Sequence, residues 1–222
     1  MRSKLITACI SLVAFAACAA VPTIASASPE LTEPTGTTLA PLSLIKATNI
    51  GETTFESSST TVHCTGAELT GKVITNSGTH IAGEISSAHF TGSAPGGECT
   101  SGSGNVNVTE TTPTNGLPWC VTSTKTAHQF ELRGGACSAK ARPIRFAMHI
   151  TTFLGSVECP YEKTTGILGT FTTHPSDAVL SIANQSFKRV GENGLCPAEG
   201  SLKMSFTLET DTTASADPIW IS

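Results

Sequence analysis

Segments around the cysteines of this 222-residue chain repeat one another at fixed spacing, and that repetition limits the fold more than any other feature. "VHCTGAELTG" (62–71) matches "VECPYEKTTG" (157–166) as Val, one residue, Cys, five residues, Thr-Gly. "ISSAHFTGSAPGGEC" (85–99) matches "IANQSFKRVGENGLC" (182–196) as Ile, four residues, Phe, six residues, Gly, one residue, Cys. Equivalent cysteines should pair equivalently. The spacing therefore predicts bridges Cys64–Cys99 and Cys159–Cys196, which leaves Cys120 for Cys137.

The hydrophobic pattern has a period of two. "IRFAMHI" (144–150) and "LKMSFTLE" (202–209) alternate apolar and polar residues, as half-buried antiparallel strands do. "NVNVTE" (105–110) and "HQFELRG" (128–134) follow more weakly, with breaks such as "NSGT" and "GENG" between runs. The expectation is an all-β, internally duplicated antiparallel sandwich or barrel, braced by disulfides. It would be one pseudo-symmetric domain over 43–222, with copies at about 43–123 and 142–222. Two separate small β domains are the alternative. The Pro- and Thr-rich stretch 28–42 reads as a flexible leader.

Arg2, Lys4, a long apolar run and "ASAS" read as a signal peptide over 1–27, with cleavage after Ala27. The export context fits six remaining cysteines used as bridges. Plain secretion into the extracellular space is the expectation. Lipid anchoring through Cys18, which follows Ala16-Ala17, is the alternative, with Phe15 standing where an aliphatic residue is usual. Removal of Arg2 and Lys4 takes the formal net charge from −4 to −6, which argues against a nucleic-acid partner. No stretch after the signal has the length and apolarity of a transmembrane helix.

"LTEPTGTTL", "NGLPWC", "RGGACSAKARPI" and "TTHPSD" together resemble a group of uncharacterised secreted proteins of soil-dwelling high-GC Gram-positive bacteria. The resemblance implies an extracellular bacterial protein. It implies no activity, site or cofactor.

Chemistry is sparse in the linear sequence. Cys120 in "LPWC" has the look of a redox thiol, but "VTSTKTAHQF" after it carries no helical period to lower its pKa. Trp119 and Trp220 each follow a Pro closely, and both read as core residues. Six histidines show no metal-ligand spacing, no Ca²⁺ loop is present, and no nucleophile elbow occurs. "SLIK" (43–46) and "KTTG" (163–166) echo penicillin-binding enzymes without the helical domain those motifs need. Glu68 and Glu162 fall near equivalent positions of the repeat. Lys125, Arg133, Lys140, Arg142 and Arg145 gather between the copies, opposed only by Glu131. They form a candidate anion-contacting face for an acidic cell-wall polymer. No catalytic residue, metal or cofactor is assigned. The expected function is an exported, non-enzymatic structural or binding component of the bacterial surface or its surroundings. A secreted ligand-binding module or hydrolase inhibitor, with another extracellular protein as its partner, is the alternative; an enzyme whose site assembles only in the fold is the third.

Overall fold

The computed structural model describes residues 29–102, 104–109, 116–124, 128–172, 177–212 and 216–221. The expected signal peptide, Cys18 and Lys125 lie outside the described residues. The chain is β1 (Leu31–Thr32), β2 (Leu44–Asn49), β3 (Thr53–Ser57), β4 (Thr61–Cys64), β5 (Gly66–Ser77), β6 (His80–Thr91), β7 (Cys99–Ser101), β8 (Gly104–Thr109) and β9 (Trp119–Ser123). It continues as β10 (Gln129–Gly134), β11 (Ile144–Thr152), β12 (Gly155–Lys163), β13 (Ile167–Phe171), β14 (Val179–Arg189), β15 (Glu199–Thr210) and β16 (Trp220–Ile221). Among the described residues the only helix is a single 3₁₀ turn, Pro95–Gly97. The all-β expectation holds.

The strands pair antiparallel in a ring, β10–β13–β14–β12–β11–β8–β7–β4–β3–β15–β2–β5–β6–β9 and back to β10. β14 and β15 also pair with each other across that ring. Their ladder divides it into two closed circuits. The first contains β2, β5, β6, β9, β10 and β13, closed by the early part of β14 and the late part of β15. The second contains β3, β4, β7, β8, β11 and β12, closed by the late part of β14 and the early part of β15. Closure removes exposed strand edges. Within the first circuit the strands β2, β5, β6, β9, β10, β13 and β14 pair in ascending chain order.

Sequence explains how two strands serve both circuits. β15 keeps Met204, Phe206, Leu208 and Thr210 buried while Lys203, Ser205, Thr207 and Glu209 face outward, so one face stays apolar over most of its length. β14 changes neighbours at a register shift between Ile182 and Gln185, where Asn184 has φ 49°. A bulge bends and twists the strand that carries it, and Asn tolerates the left-handed conformation better than most residues. The strand is thereby re-aimed from β13 to β12.

All three predicted bridges are present: Cys64–Cys99, Cys120–Cys137 and Cys159–Cys196. The leader expectation is corrected. Leu31 and Leu39 are buried, and β1 pairs with β16 at the far end of the chain, Leu31 against Ile221. The Asn76 carboxamide accepts from Leu31 N at 2.8 Å and donates to Leu31 O at 2.8 Å and Leu39 O at 2.9 Å. It satisfies the backbone as a neighbouring strand would. Pro and Thr content therefore marked a short strand and turn, not a free tail.

Candidate functional site

The two circuits enclose different interiors. Around the second, Phe55, Phe146, Tyr161 and Phe187 form an aromatic cluster with centroid separations of 4.8 to 5.8 Å. Phe146 meets Phe55 and Phe187 edge-on, a favourable quadrupole arrangement. Met148 and Met204 fill beside them, and the remaining cavity is about 40 Å³. Tyr161 is fully buried, and its hydroxyl donates to Pro197 O at 3.1 Å. Burial pushes its pKa up to about 12, partly opposed by the Arg189 charge.

The first circuit holds a larger cavity of about 90 Å³. Its wall is mainly hydrocarbon, including Ile45, Leu69, Ile85, Phe130, Leu180 and Phe206. Leu31 and Ile221 also reach it, although β1 and β16 belong to neither circuit. They can enter the barrel only from an end, so the β1–β16 pair acts as a lid. An empty cavity costs roughly 24 cal/mol per Å³, so this one would cost about 2 kcal/mol. Interiors ordinarily leave few voids larger than a water molecule.

One wall residue bears on why the space exists. A Cβ placed on Gly66, Gly71, Gly134, Gly169 or Gly200 would fall 2.1 to 2.3 Å from a neighbouring atom. Those strand glycines are required by close approach. At Gly83, in β6, the same Cβ would meet nothing nearer than 3.5 Å. Gly83 lines the larger cavity. Here glycine leaves room that a side chain could have taken.

The charged candidates are mostly engaged in structure. Arg133 donates to Cys137 O at 2.9 Å and Ala139 O at 3.2 Å, holding the loop that carries the second bridge. Arg145 forks onto Glu162, with Nη2 at 2.6 Å and Nε at 2.7 Å. Glu68 lies 3.8 Å from Lys46, which contacts Glu209 at 3.0 Å. The Glu209 hydrogen bond and charge raise the Lys46 pKa. Lys140 and Arg142 remain exposed on the loop before β11. The described members of the basic segment are thus divided between a loop clamp, an ion pair and a solvent-exposed loop that the Arg142 backbone bridges to Gly134.

Cys120 is buried in β9, bonded to Cys137, and is not a free redox thiol. Trp119 is also buried, whereas Trp220 is half-buried in β16 and donates Nε1–H to Asp177 at 3.2 Å. Trp119 lies in β9, within the first circuit, and Trp220 in β16, which belongs to neither circuit. Among the described residues no three His, Cys, Asp or Glu side chains group as metal ligands. Among the same residues no helix is long and apolar enough to cross a membrane.

Two features escaped the linear reading. Arg189 donates from Nη1 to Asn193 O and Cys196 O, and from Nε to Gly191 O at 3.2 Å, clamping the loop of the third bridge. "RVGENGLC" carried a signal for this, an Arg before a glycine-rich loop ending in Cys, parallel to "RGGAC". Phe153 and Leu154 are 96% and 84% exposed at the turn between β11 and β12, an apolar tip without a charged neighbour in "TTFLGS". Compared with protein families, curated proteins and solved structures, the chain matches none of them.

Proposed function

We propose that the protein is an exported, non-enzymatic β protein that acts as a binding or structural component at the bacterial surface or in the extracellular space. The observation that carries this reading is the three disulfides, which belong to an oxidising compartment. The export-like first residues and the resemblance to secreted Gram-positive proteins support the same placement. The body is an internally duplicated unit in this reading, supported by the repeated cysteine spacing of the sequence. Buried groups serve packing and bridges, while Arg133, Arg145 and Arg189 are spent on loops and an ion pair. Binding is favoured over a purely structural role by the hydrocarbon-lined space in the first circuit.

Export is tested by producing the full chain in a Gram-positive host and measuring the intact mass of protein from the medium. The expected species begins at Ser28, with no alkylated thiol before reduction and six after. Retention in the cell, or free thiols before reduction, would contradict the reading. A lipid-sized addition on Cys18 would move the protein to the membrane surface.

A further inference from the structure

We propose that the first circuit is a binding chamber for one small uncharged hydrocarbon, a short alkyl molecule or a single small ring, admitted beneath the β1–β16 lid. This deepens the binding reading above; its failure would leave an exported structural protein standing.

Three observations converge. The chamber wall is mostly aliphatic and aromatic, and of its polar members Glu84 is engaged by Lys72 and Cys137 N and Ser123 accepts from Ile81 N, which suits a guest without charge or hydrogen-bonding groups. Its volume, about 90 Å³, lies below the ~150 Å³ of an engineered apolar cavity that stays dry and takes up benzene or xenon. That limit favours a compact guest and excludes full burial of a long acyl chain. Gly83 is a strand glycine at ordinary φ whose position would accept a side chain without a clash, and it lines this chamber. The space is not forced by backbone packing.

The lid supplies a route. β1 has two residues; it pairs with β16, bridges Thr38 through Thr32, and accepts from Leu39 N at Leu31 O, 3.0 Å. The side chain of Asn76, near the end of β5, ties β1 to the barrel wall, while Ile219 beside β16 is tied to it by its N to Leu208 O at 3.0 Å and by Ala178 N to its O at 2.8 Å. Losing the Asn76 hydrogen bonds loosens β1 from the wall without opening the circuit's own ladder. Asn76 is therefore a positioning residue for the lid and does not touch the guest.

Methyl NMR of the oxidised mature chain tests the proposal, with xenon, n-pentane and decanoate as separate probes. Xenon and n-pentane should shift the methyl resonances of Ile45, Leu69 and Leu180, leaving those of Val62 and Ile144 in the second circuit unchanged. Decanoate should produce no comparable shift; saturable shifts with it alone would replace the small-hydrocarbon guest by an acyl chain and overturn the proposal. Gly83→Val should abolish the n-pentane shift. Gly83→Ala, whose methyl fits at 3.5 Å, should weaken it several-fold and keeps the test intact if the valine variant does not fold. Asn76→Ala should speed exchange of the guest with little change in affinity. Xenon shifts without n-pentane binding would mark a packing void and overturn the proposal. So would n-pentane shifts that persist unchanged in a folded Gly83 variant.

Discussion

The two circuits share β14 and β15, yet one is filled by a cluster of contacting aromatic rings and the other leaves a larger cavity among aliphatic side chains and the rings of Phe130, Phe171 and Phe206. The second circuit also carries both long-range bridges, Cys64–Cys99 and Cys159–Cys196, spanning separations of 35 and 37 residues. The first is joined by the shorter Cys120–Cys137 bridge, with a separation of 17. Closing a barrel constrains strand order but not the quality of its filling. The aromatic interior is the more fully packed of the two, and the other retains the larger space.

The largest effects should come from breaking the second circuit. Phe187→Ala removes a ring that is 1% exposed and edge-packed on Phe146, and should cost about 4 kcal/mol in urea unfolding. Leu69→Ala, on the wall of the existing cavity, should fall near 2 to 3 kcal/mol, at the lower end for a buried Leu. Equal losses would erase the contrast. Replacing Cys159 and Cys196 together by Ala should cost about 4 kcal/mol from loop entropy, against about 3 for Cys120 and Cys137. Calorimetry of the two double variants compares them.

Tyr161 gives the second circuit a distinct alkaline response. Its folded pKa, about 12, lies above the ordinary value of 10.0, so its contribution is complete below pH 10. It is lost as pH rises from 10 through 12, because the folded state resists ionisation that the unfolded chain accepts. Two pKa units correspond to about 3 kcal/mol. Tyr161→Phe should remove that alkaline decline at the expense of an unpaired Pro197 carbonyl, measured as stability against pH. A decline unchanged in the variant would assign it elsewhere.

The smallest effects sharpen the contrast from both sides. Thr53 Oγ1 is buried in the second circuit without a hydrogen-bond partner among the described residues, so Thr53→Val should stabilise by about 1 kcal/mol. In the first circuit, Gly83→Ala should stabilise by about 0.4 to 1 kcal/mol through lost unfolded-chain entropy, with a little more from filling space. Thermal unfolding of both single variants reads these changes.

The sequence made some of this legible and concealed the rest for physical reasons. Strict alternation in 144–150 and 202–209 revealed β11 and β15, because each buries one face along its length. Repeated spacing revealed the bridge pairing, since a bridge needs two fixed positions and the repeat supplies both. β1 stayed hidden: its partner, Ile221, lies at the opposite end of the chain, and a two-residue strand has no period. The basic segment was visible as composition, but the division of Arg133 and Arg145 between a loop and Glu162 depends on where backbone carbonyls and strand neighbours fall. The cavity was hidden for a related reason. "IAGE" names a glycine, and only its surroundings show that the space beside it is not forced.

Native-state hydrogen exchange would test the unequal circuits most directly. Amides of β1, β16 and the lid-facing part of β5 should exchange through openings of markedly lower free energy than those of β11, β12 and the late part of β14. Uniform exchange at the global unfolding free energy, or slower exchange in the lid than in the aromatic circuit, would contradict a firmly packed circuit joined to an openable one.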